Sequence, residues 1–219
     1  MPAGHGDAPP CGRYVSSTRQ ATPKSWLRGR FDLLRRYHEV SGVGEIVRRY
    51  FAMNAFDGVL TTLGVLAGGY FGGVRDGHAI VVLGLSTAAA MGISGSYGAY
   101  MTERAERRRA LHELEESTLF SLKNTGIAAA SRYATIVIAA VDGLSPVAAA
   151  IVAILPFFFL SAHDAYYVGA AVAFVELFLL GVFLGRVSRE RLVWAGAKLM
   201  GAGVVSLVVS LLLKEGFGR

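Results

Sequence analysis

Three acidic side chains, Asp57, Asp142 and Glu176, lie inside long apolar stretches of the sequence. Each carboxylate costs ~2.5–3.5 kcal/mol at bilayer depth on insertion scales, so a charge there usually has a function. No basic residue lies at comparable depth, although Lys198, about two turns into the fifth stretch, could snorkel or pair. We therefore expect protonation, a bound divalent cation, or both in exchange. The alternative is a protonated carboxyl group that is hydrogen-bonded to a neighbouring Ser or Thr.

Pro146 adds a second oxygen beside Asp142, because proline lacks the N–H that would bond the carbonyl of residue 142. The free carbonyl and the side chain give two candidate cation ligands at one point, or they mark only a helix kink. Met53 and Met91 are candidate soft ligands for iron or manganese. Methionine in an apolar span is, however, more often a packing residue.

The composition predicts an all-α integral membrane protein. Of 219 residues, 53% are hydrophobic and only 17% are charged. The apolar stretches are about 20 residues long, which suits a hydrocarbon core of ~30 Å. We predict five transmembrane helices in a membrane domain, 51–213, at roughly 52–73, 78–101, 134–160, 165–186 and 192–213.

The segments outside these spans are polar or amphipathic. Residues 1–25 have no continuous apolar core, so we expect a disordered tail without a secretory signal. Residues 26–50 alternate arginines with apolar side chains, which predicts amphipathic helices on the membrane surface, broken near Ser41-Gly42. A charged cytoplasmic helix is expected at 102–124, and a short tail at 214–219.

The basic residues predict the orientation of the chain. They concentrate before the first span, between the second and third, and around the turn between the fourth and fifth. The opposite side holds only Arg75, Lys214 and Arg219. The positive-inside rule then gives a cytoplasmic N-terminus and a C-terminus on the other side. We expect a prokaryotic cell membrane, or alternatively a vacuolar-type membrane, and no nucleic-acid partner.

Four glutamates of the cytoplasmic helix fall on an arc of about 140°. They are candidate collectors of cations before transfer. The alternative is ordinary salt bridging, since Arg107 and Arg109 lie three or four residues from members of the stripe. The four residues are Glu103, Glu106, Glu113 and Glu116.

Small residues recur every fourth position in three of the predicted spans, as they do where transmembrane helices approach closely. The pattern fits a tight bundle or a dimer and does not distinguish them. The three seams are Gly64-x3-Gly68-x3-Gly72, Ser94-x3-Gly98 and Gly181-x3-Gly185.

Four features together resemble the vacuolar iron transporter family over roughly residues 45–213. They are DGVLTTLGVLAGG, AMGISGSYGAYMTERAE, the acidic helix that follows, and a third span ending in ILPFF. The resemblance implies a five-span protomer, a homodimer, and export of ferrous iron or manganese from the cytosol in exchange for protons. It matches Asp57 to the first-span aspartate of the family, and the glutamate stripe loosely to the cytoplasmic metal-binding residues.

The chain also departs from the family pattern. A Gly-Glu-Tyr near the end of the second span reads Gly98-Ala99-Tyr100 here, and Gly95 stands where a methionine is common. The cytoplasmic metal-binding region is shortened to one helix. Asp142 and Glu176 are candidates to replace the missing ligands.

The sequence thus predicts proton-coupled transport of Fe²⁺ or Mn²⁺, with no permanently bound cofactor. One alternative is a dimeric scaffold or metal sensor in the membrane that binds cations without moving them. Another is transport of a different cation or small solute. We do not expect an enzyme, because no nucleophile–base pair, phosphate loop or His-rich metal spacing is present. The single cysteine, Cys11, excludes a disulfide framework and a multi-cysteine metal site.

Overall fold

The computed structural model describes residues 42–122 and 125–217, and the regular elements of this part of the chain are all helices, without strands. The all-α prediction is confirmed for these residues. A short 3-10 turn, Leu155–Phe158, continues the third helix. The five helices are α1 (Val43–Phe71), α2 (Gly77–Thr118), α3 (Gly126–Ile154), α4 (Ala162–Ser188) and α5 (Leu192–Phe217).

All five described helices are long and apolar enough to cross a membrane, as predicted. The third is the most buried and the fifth the least. α3 packs most extensively against α2 and α1, and α4 packs against α5 and α1. α3 is therefore the central helix, and it carries three of the four polar or charged residues that are buried in the described structure, the fourth being Thr62 on α1.

Several helix boundaries differ from the sequence prediction. α3 begins at Gly126 rather than near 134, and α5 continues to Phe217 rather than ending near 213. Residues 43–50, expected in a surface helix, form instead the first turns of α1. Gly42 precedes them in a left-handed conformation, φ 60°, at the predicted break. The charged helix is continuous with α2 and ends at Thr118 rather than 124, because Leu119 adopts a left-handed φ of 54°. The remainder of 26–50 and the tail 1–25 lie outside the described residues.

Glycines allow α1 and α2 to approach the backbone of α3. A Cβ atom on Gly58 of α1 would lie 2.5 Å from the Pro146 carbonyl oxygen. On the other side, a Cβ on Gly143 would overlap the Ser96 side chain, and one on Gly92 would lie 2.9 Å from the Gly143 carbonyl oxygen. Such close approach gives dispersion contact along the whole crossing. It also fixes the depth of α3 relative to its two neighbours.

The three small-residue seams have different partners. A Cβ on Gly181 of α4 would lie 2.5 Å from the Ala195 carbonyl oxygen, so this seam packs against α5 inside the bundle. Gly64 and Gly68 on α1 and Gly98 on α2 have no atom within 4 Å of a Cβ position. These glycines leave bare helix surface on the outside of the bundle.

The crossing of α1 and α3 can be tested with Gly58→Ala. The added methyl group meets backbone atoms of Pro146, which cannot move aside as a side chain would, so we expect a loss of ~1–3 kcal/mol. Thermal unfolding in detergent measures the loss. Gly201→Ala on α5 is the matched control, because nothing lies within 4 Å of its Cβ position. Equal melting temperatures for the two variants would contradict the close crossing.

Candidate cation-binding site

Asp142 is held inside the bundle by an amide from α1. Asp142 is only 7% exposed to solvent. The Asn54 Nδ2 atom donates to Asp142 Oδ1 at 2.5 Å and to the Tyr50 backbone carbonyl at 2.8 Å. The amide therefore satisfies one carboxylate oxygen and is itself fixed by its own helix.

The second carboxylate oxygen of Asp142 faces α2. A Cβ on Gly95 would lie 2.7 Å from Asp142 Oδ2 and 3.3 Å from the Asp142 carbonyl oxygen. The carbonyl that Pro146 leaves without its helical hydrogen bond is thus on the same side as Oδ2. Because position 95 is glycine, two oxygens of Asp142 share a place that a larger side chain would fill.

Asp57 is exposed on the outside of α1, three residues after Asn54, whose amide bonds Asp142. Positions 53, 57, 64 and 68 fall within an arc of about 60° on the helix. This surface, which we call the open face of α1, carries Met53, Asp57, Gly64 and Gly68. Met53 is 56% exposed, and the two glycines make no contact at their Cβ positions.

Glu176 lies on α4 and is partly buried, with its Oε2 atom buried and without a hydrogen-bond partner in the described structure. Lys198 does not pair with it; the Lys198 ammonium bonds Glu190 at 3.0 Å. Within residues 42–122 and 125–217, no group of three His, Cys, Asp or Glu side chains is placed to hold a metal ion. One protomer therefore brings Asp57 near Asp142 but does not join Glu176 to them. Met91 is half-buried on α2.

Three of the four predicted glutamates line one cavity of about 500 Å³, which we call the acidic groove. The predicted ion pairs Arg107–Glu103 and Arg109–Glu113 are present at 3.2 and 2.9 Å. Glu106 makes no ion pair in the described part of the chain. The lining residues are Ile46, Glu103, Glu106, Arg107, Arg109, Ala110 and Glu113.

Glu116 lies apart from the acidic groove, on the side of the helix that carries His112. The His112 Nε2 atom is 3.4 Å from a Glu116 carboxylate oxygen. Both side chains are more than two-thirds exposed, so this contact is solvated and weak. The stripe therefore divides into three groove residues and one surface residue.

The acidic groove meets the helix face that carries Asp57. The Tyr50 hydroxyl donates to Glu103 Oε1 at 3.4 Å, and Ile46 lines the groove. Ile46, Tyr50 and Asp57 lie within about 40° of one another around α1. Tyr50 precedes Asp57 by seven residues, which is ~10 Å along the helix.

Asn54, Tyr50 and Gly95 are site residues that reasoning from the sequence missed. Asn54 had a visible signal, since it is an amide in an apolar run one turn before Asp57. Gly95 stood out only as a departure from the family pattern, and its role beside Asp142 could not be read from the sequence because it depends on a carboxylate that arrives from another helix. A hydrogen bond between residues 88 positions apart leaves no local pattern in the sequence.

Comparisons with known proteins do not assign a function. No protein-family model matches the chain. An uncharacterized protein of the archaeon Methanocaldococcus jannaschii is 29% identical over 177 residues. The match covers 80% of this chain and 92% of that protein. The similarity therefore extends over nearly all of the archaeal protein.

The pairing of Asn54 with Asp142 can be measured by a double-mutant cycle. Asn54→Ala alone leaves a buried carboxylate without its donor, which costs ~1–3 kcal/mol. In Asn54→Ala/Asp142→Ala the orphaned group is gone, so we expect an interaction energy of ~0.5–3 kcal/mol from unfolding in mixed micelles. The control cycle combines Asn54→Ala with Thr87→Ala and should be additive. Within the described structure the Thr87 hydroxyl bonds the Leu83 carbonyl of its own helix and makes no hydrogen bond to Asn54. Additive effects of the first pair would show that the bond contributes nothing.

Proposed function

We propose that this chain is an integral membrane transporter that moves Fe²⁺ or Mn²⁺ out of the cytoplasm in exchange for protons. The observation that carries the proposal is the position of Asp57. It lies one turn of α1 beyond Asn54, whose amide bonds the buried Asp142, and ~10 Å along α1 from Tyr50, whose hydroxyl bonds Glu103 of the acidic groove. A charged residue in an apolar helix is a candidate transport residue by default. The resemblance to the vacuolar iron transporter family supports the same cargo and direction.

The acidic groove would supply cations to this site. Arg107 and Arg109 hold Glu103 and Glu113 in place, and Glu106 keeps an uncommitted carboxylate at the groove. Paired glutamates attract a cation weakly and release it readily, which suits collection rather than storage. Carboxylate oxygens alone discriminate little among divalent ions, so selectivity would arise deeper in the bundle.

Asp57 and Asp142 would then exchange the metal for protons. Two neighbouring carboxylates in a poorly hydrated place cannot both remain charged without a cation or a proton. A divalent ion neutralises both, and its departure leaves both ready to be protonated. Asn54 keeps Asp142 Oδ1 occupied. The Asp142 Oδ2 atom and the Asp142 backbone carbonyl, both beside Gly95, are the oxygens left for the cargo.

A second copy of the chain would complete the site. Among the described residues of one protomer, no three metal-binding side chains are grouped, and Asp57 faces outward. A homodimer joined across the open face of α1 brings two Asp57 carboxylates together and removes both from lipid. The bare surface at Gly64 and Gly68 permits such contact.

The membrane and orientation follow from the charge pattern. With the N-terminus cytoplasmic, the acidic groove opens on the cytoplasmic side and cargo moves away from it. We propose a prokaryotic cell membrane. Glu176, isolated on α4 with one unpartnered oxygen, would serve as a proton carrier rather than as a metal ligand.

Flux through proteoliposomes tests the proposal. We expect the full chain to move Fe²⁺ or Mn²⁺, with protons moving in the opposite direction, and flux of Co²⁺ and Zn²⁺ measured alongside defines its selectivity. Asp57→Asn and Asp142→Asn keep the size of each side chain but remove the charge, so both should abolish flux. Glu215→Gln at the far end of α5 is the charge-matched control and should transport normally.

Two results would overturn this function. Metal binding without flux would favour the scaffold or sensor, and normal flux in Asp57→Asn would remove that residue from the pathway.

Cysteine cross-linking tests the dimer separately. In a Cys11→Ser background, which has no other cysteine, Gly68→Cys should form a disulfide between copies in the membrane. Such a bond requires Cα atoms within about 7 Å of each other, which only close packing of the two α1 helices allows. Gly201→Cys is also free of contacts, lies on α5, and should stay monomeric on a gel. The reverse pattern would place the interface on α5.

A further inference from the structure

A second cavity, of about 660 Å³, lies between the charged end of α2 and the first turns of α3, and we call it the basic pocket. Four arginines line it against a single glutamate. The arginines are Arg104, Arg107, Arg108 and Arg132, and the glutamate is Glu115. Its charge is therefore opposite to that of the acidic groove.

Most arginines of the basic pocket are not neutralised by the part of the chain that the structure describes. Arg107 is paired with Glu103, but Arg104 only donates to the Tyr100 hydroxyl at 3.3 Å, with its guanidinium 5.7 Å from the centre of that ring. Arg108 and Arg132 have no hydrogen bond or ion pair to any residue of 42–122 or 125–217. Two to three guanidinium groups are thus available to an anion.

Glu115 does not oppose such an anion strongly, because its carboxylate is already engaged. Its Oε1 atom accepts from the Leu122 backbone N–H at 2.6 Å and from the Ser121 hydroxyl at 3.3 Å. These bonds tie the end of α2 to the turn before α3. They also spread the negative charge over neutral donors at one edge of the pocket.

An apolar groove runs on from the basic pocket along the outside of α2 and α3. It is a cavity of about 680 Å³ that shares Tyr100 with the pocket. Alanines and glycines line much of it, and Ile93 and Leu144 are 72% and 66% exposed along it. The remaining lining residues are Ala89, Gly92, Ser96, Tyr97, Ala139, Ala140, Gly143 and Val147.

The dimensions of the apolar groove match one leaflet of a bilayer. Along α2 it runs over the twelve residues from Ala89 to Tyr100, a rise of ~16 Å. Half of a hydrocarbon core of ~30 Å is ~15 Å. The basic pocket begins where the groove ends, which is the level at which phosphate headgroups would lie.

From this juxtaposition we infer that the basic pocket and the apolar groove together bind one anionic phospholipid. The phosphate lies among Arg104, Arg108 and Arg132, and one acyl chain follows the groove between α2 and α3. Guanidinium groups suit phosphate because their planar donors form two parallel hydrogen bonds. Basic pockets beside helices at the cytoplasmic surface bind lipid headgroups in this way. A soluble phosphate compound would use the pocket and leave the groove without a role.

The inference requires the chain to lie in a membrane, but it does not require the chain to move metal. A failure of metal flux would leave it intact, and a failure of lipid binding would leave the transport proposal intact.

Native mass spectrometry of the full chain in detergent tests the lipid site. The probes are phosphatidylglycerol and phosphatidylcholine with identical acyl chains. We expect phosphatidylglycerol to bind roughly 30- to 150-fold more tightly, as two or three nearby arginines would give at ~1 kcal/mol each. Arg108→Gln/Arg132→Gln should remove the preference. Arg186→Gln/Arg191→Gln, at the end of α4 and just before α5, removes the same amount of charge and should retain the preference for phosphatidylglycerol.

A variant tests the apolar groove separately, and a soluble competitor tests whether the acyl chains contribute to binding. Ala140→Phe fills the apolar groove from an exposed position and should weaken lipid binding, whereas Ala197→Phe on α5 should not. Glycerol 3-phosphate carries the headgroup without the chains and should compete poorly. Equal binding of the two lipids, or equal loss in both arginine variants, overturns the inference.

Two further results would also overturn it. Strong competition by glycerol 3-phosphate assigns the pocket to a soluble phosphate compound. Cross-linking of Leu144→Cys between copies assigns the groove to a second chain.

Discussion

The arrangement of this protein depends on how closely α1 and α2 approach the backbone of α3. Gly58 meets Pro146 on one side, and Gly92 meets Gly143 on the other. At these crossings backbone lies against backbone, so a polar side chain on α3 has room only where its neighbours are also small. Asp142 occupies such a place, between Asn54 and Gly95. Its burial follows from the crossings on either side of it.

The same crossings separate the molecule into surfaces of opposite character. The open face of α1 carries Asp57 and bare glycines, and it continues into the acidic groove. The outer side of the α2–α3 contact carries the apolar groove and the basic pocket. Arg107 lines both the acidic groove and the basic pocket and pairs with Glu103 between them. A cation and an anionic headgroup would therefore meet different sides of one helix end, and that helix keeps their charges apart.

Much of the fold could be predicted because hydropathy accumulates over many residues. Each apolar run of about 20 residues has only one common solution in a membrane, a helix, so the number of spans followed directly. Hydropathy did not predict where the helices end, because a helix continues as long as its backbone hydrogen bonds are made, whether or not its side chains are apolar. Val43–Tyr50, predicted as a separate surface helix, is continuous with α1, and the predicted charged helix stops at Thr118, where Leu119 leaves the right-handed region. Local ion pairs were also predictable, since Arg107–Glu103 and Arg109–Glu113 depend only on helical spacing.

The sequence by itself determined that the described chain forms apolar helices, that three of them carry acids, and that a charged helix extends from the second. Composition and periodicity are properties of single segments, and they suffice for such conclusions. Only the tertiary structure decided that Asn54 bonds Asp142, that Asp57 faces outward, and that Glu176 stands apart. Those outcomes depend on the rotation and depth of each helix against its neighbours. Rotation and depth are set by contacts between residues far apart in the chain, which no single segment encodes.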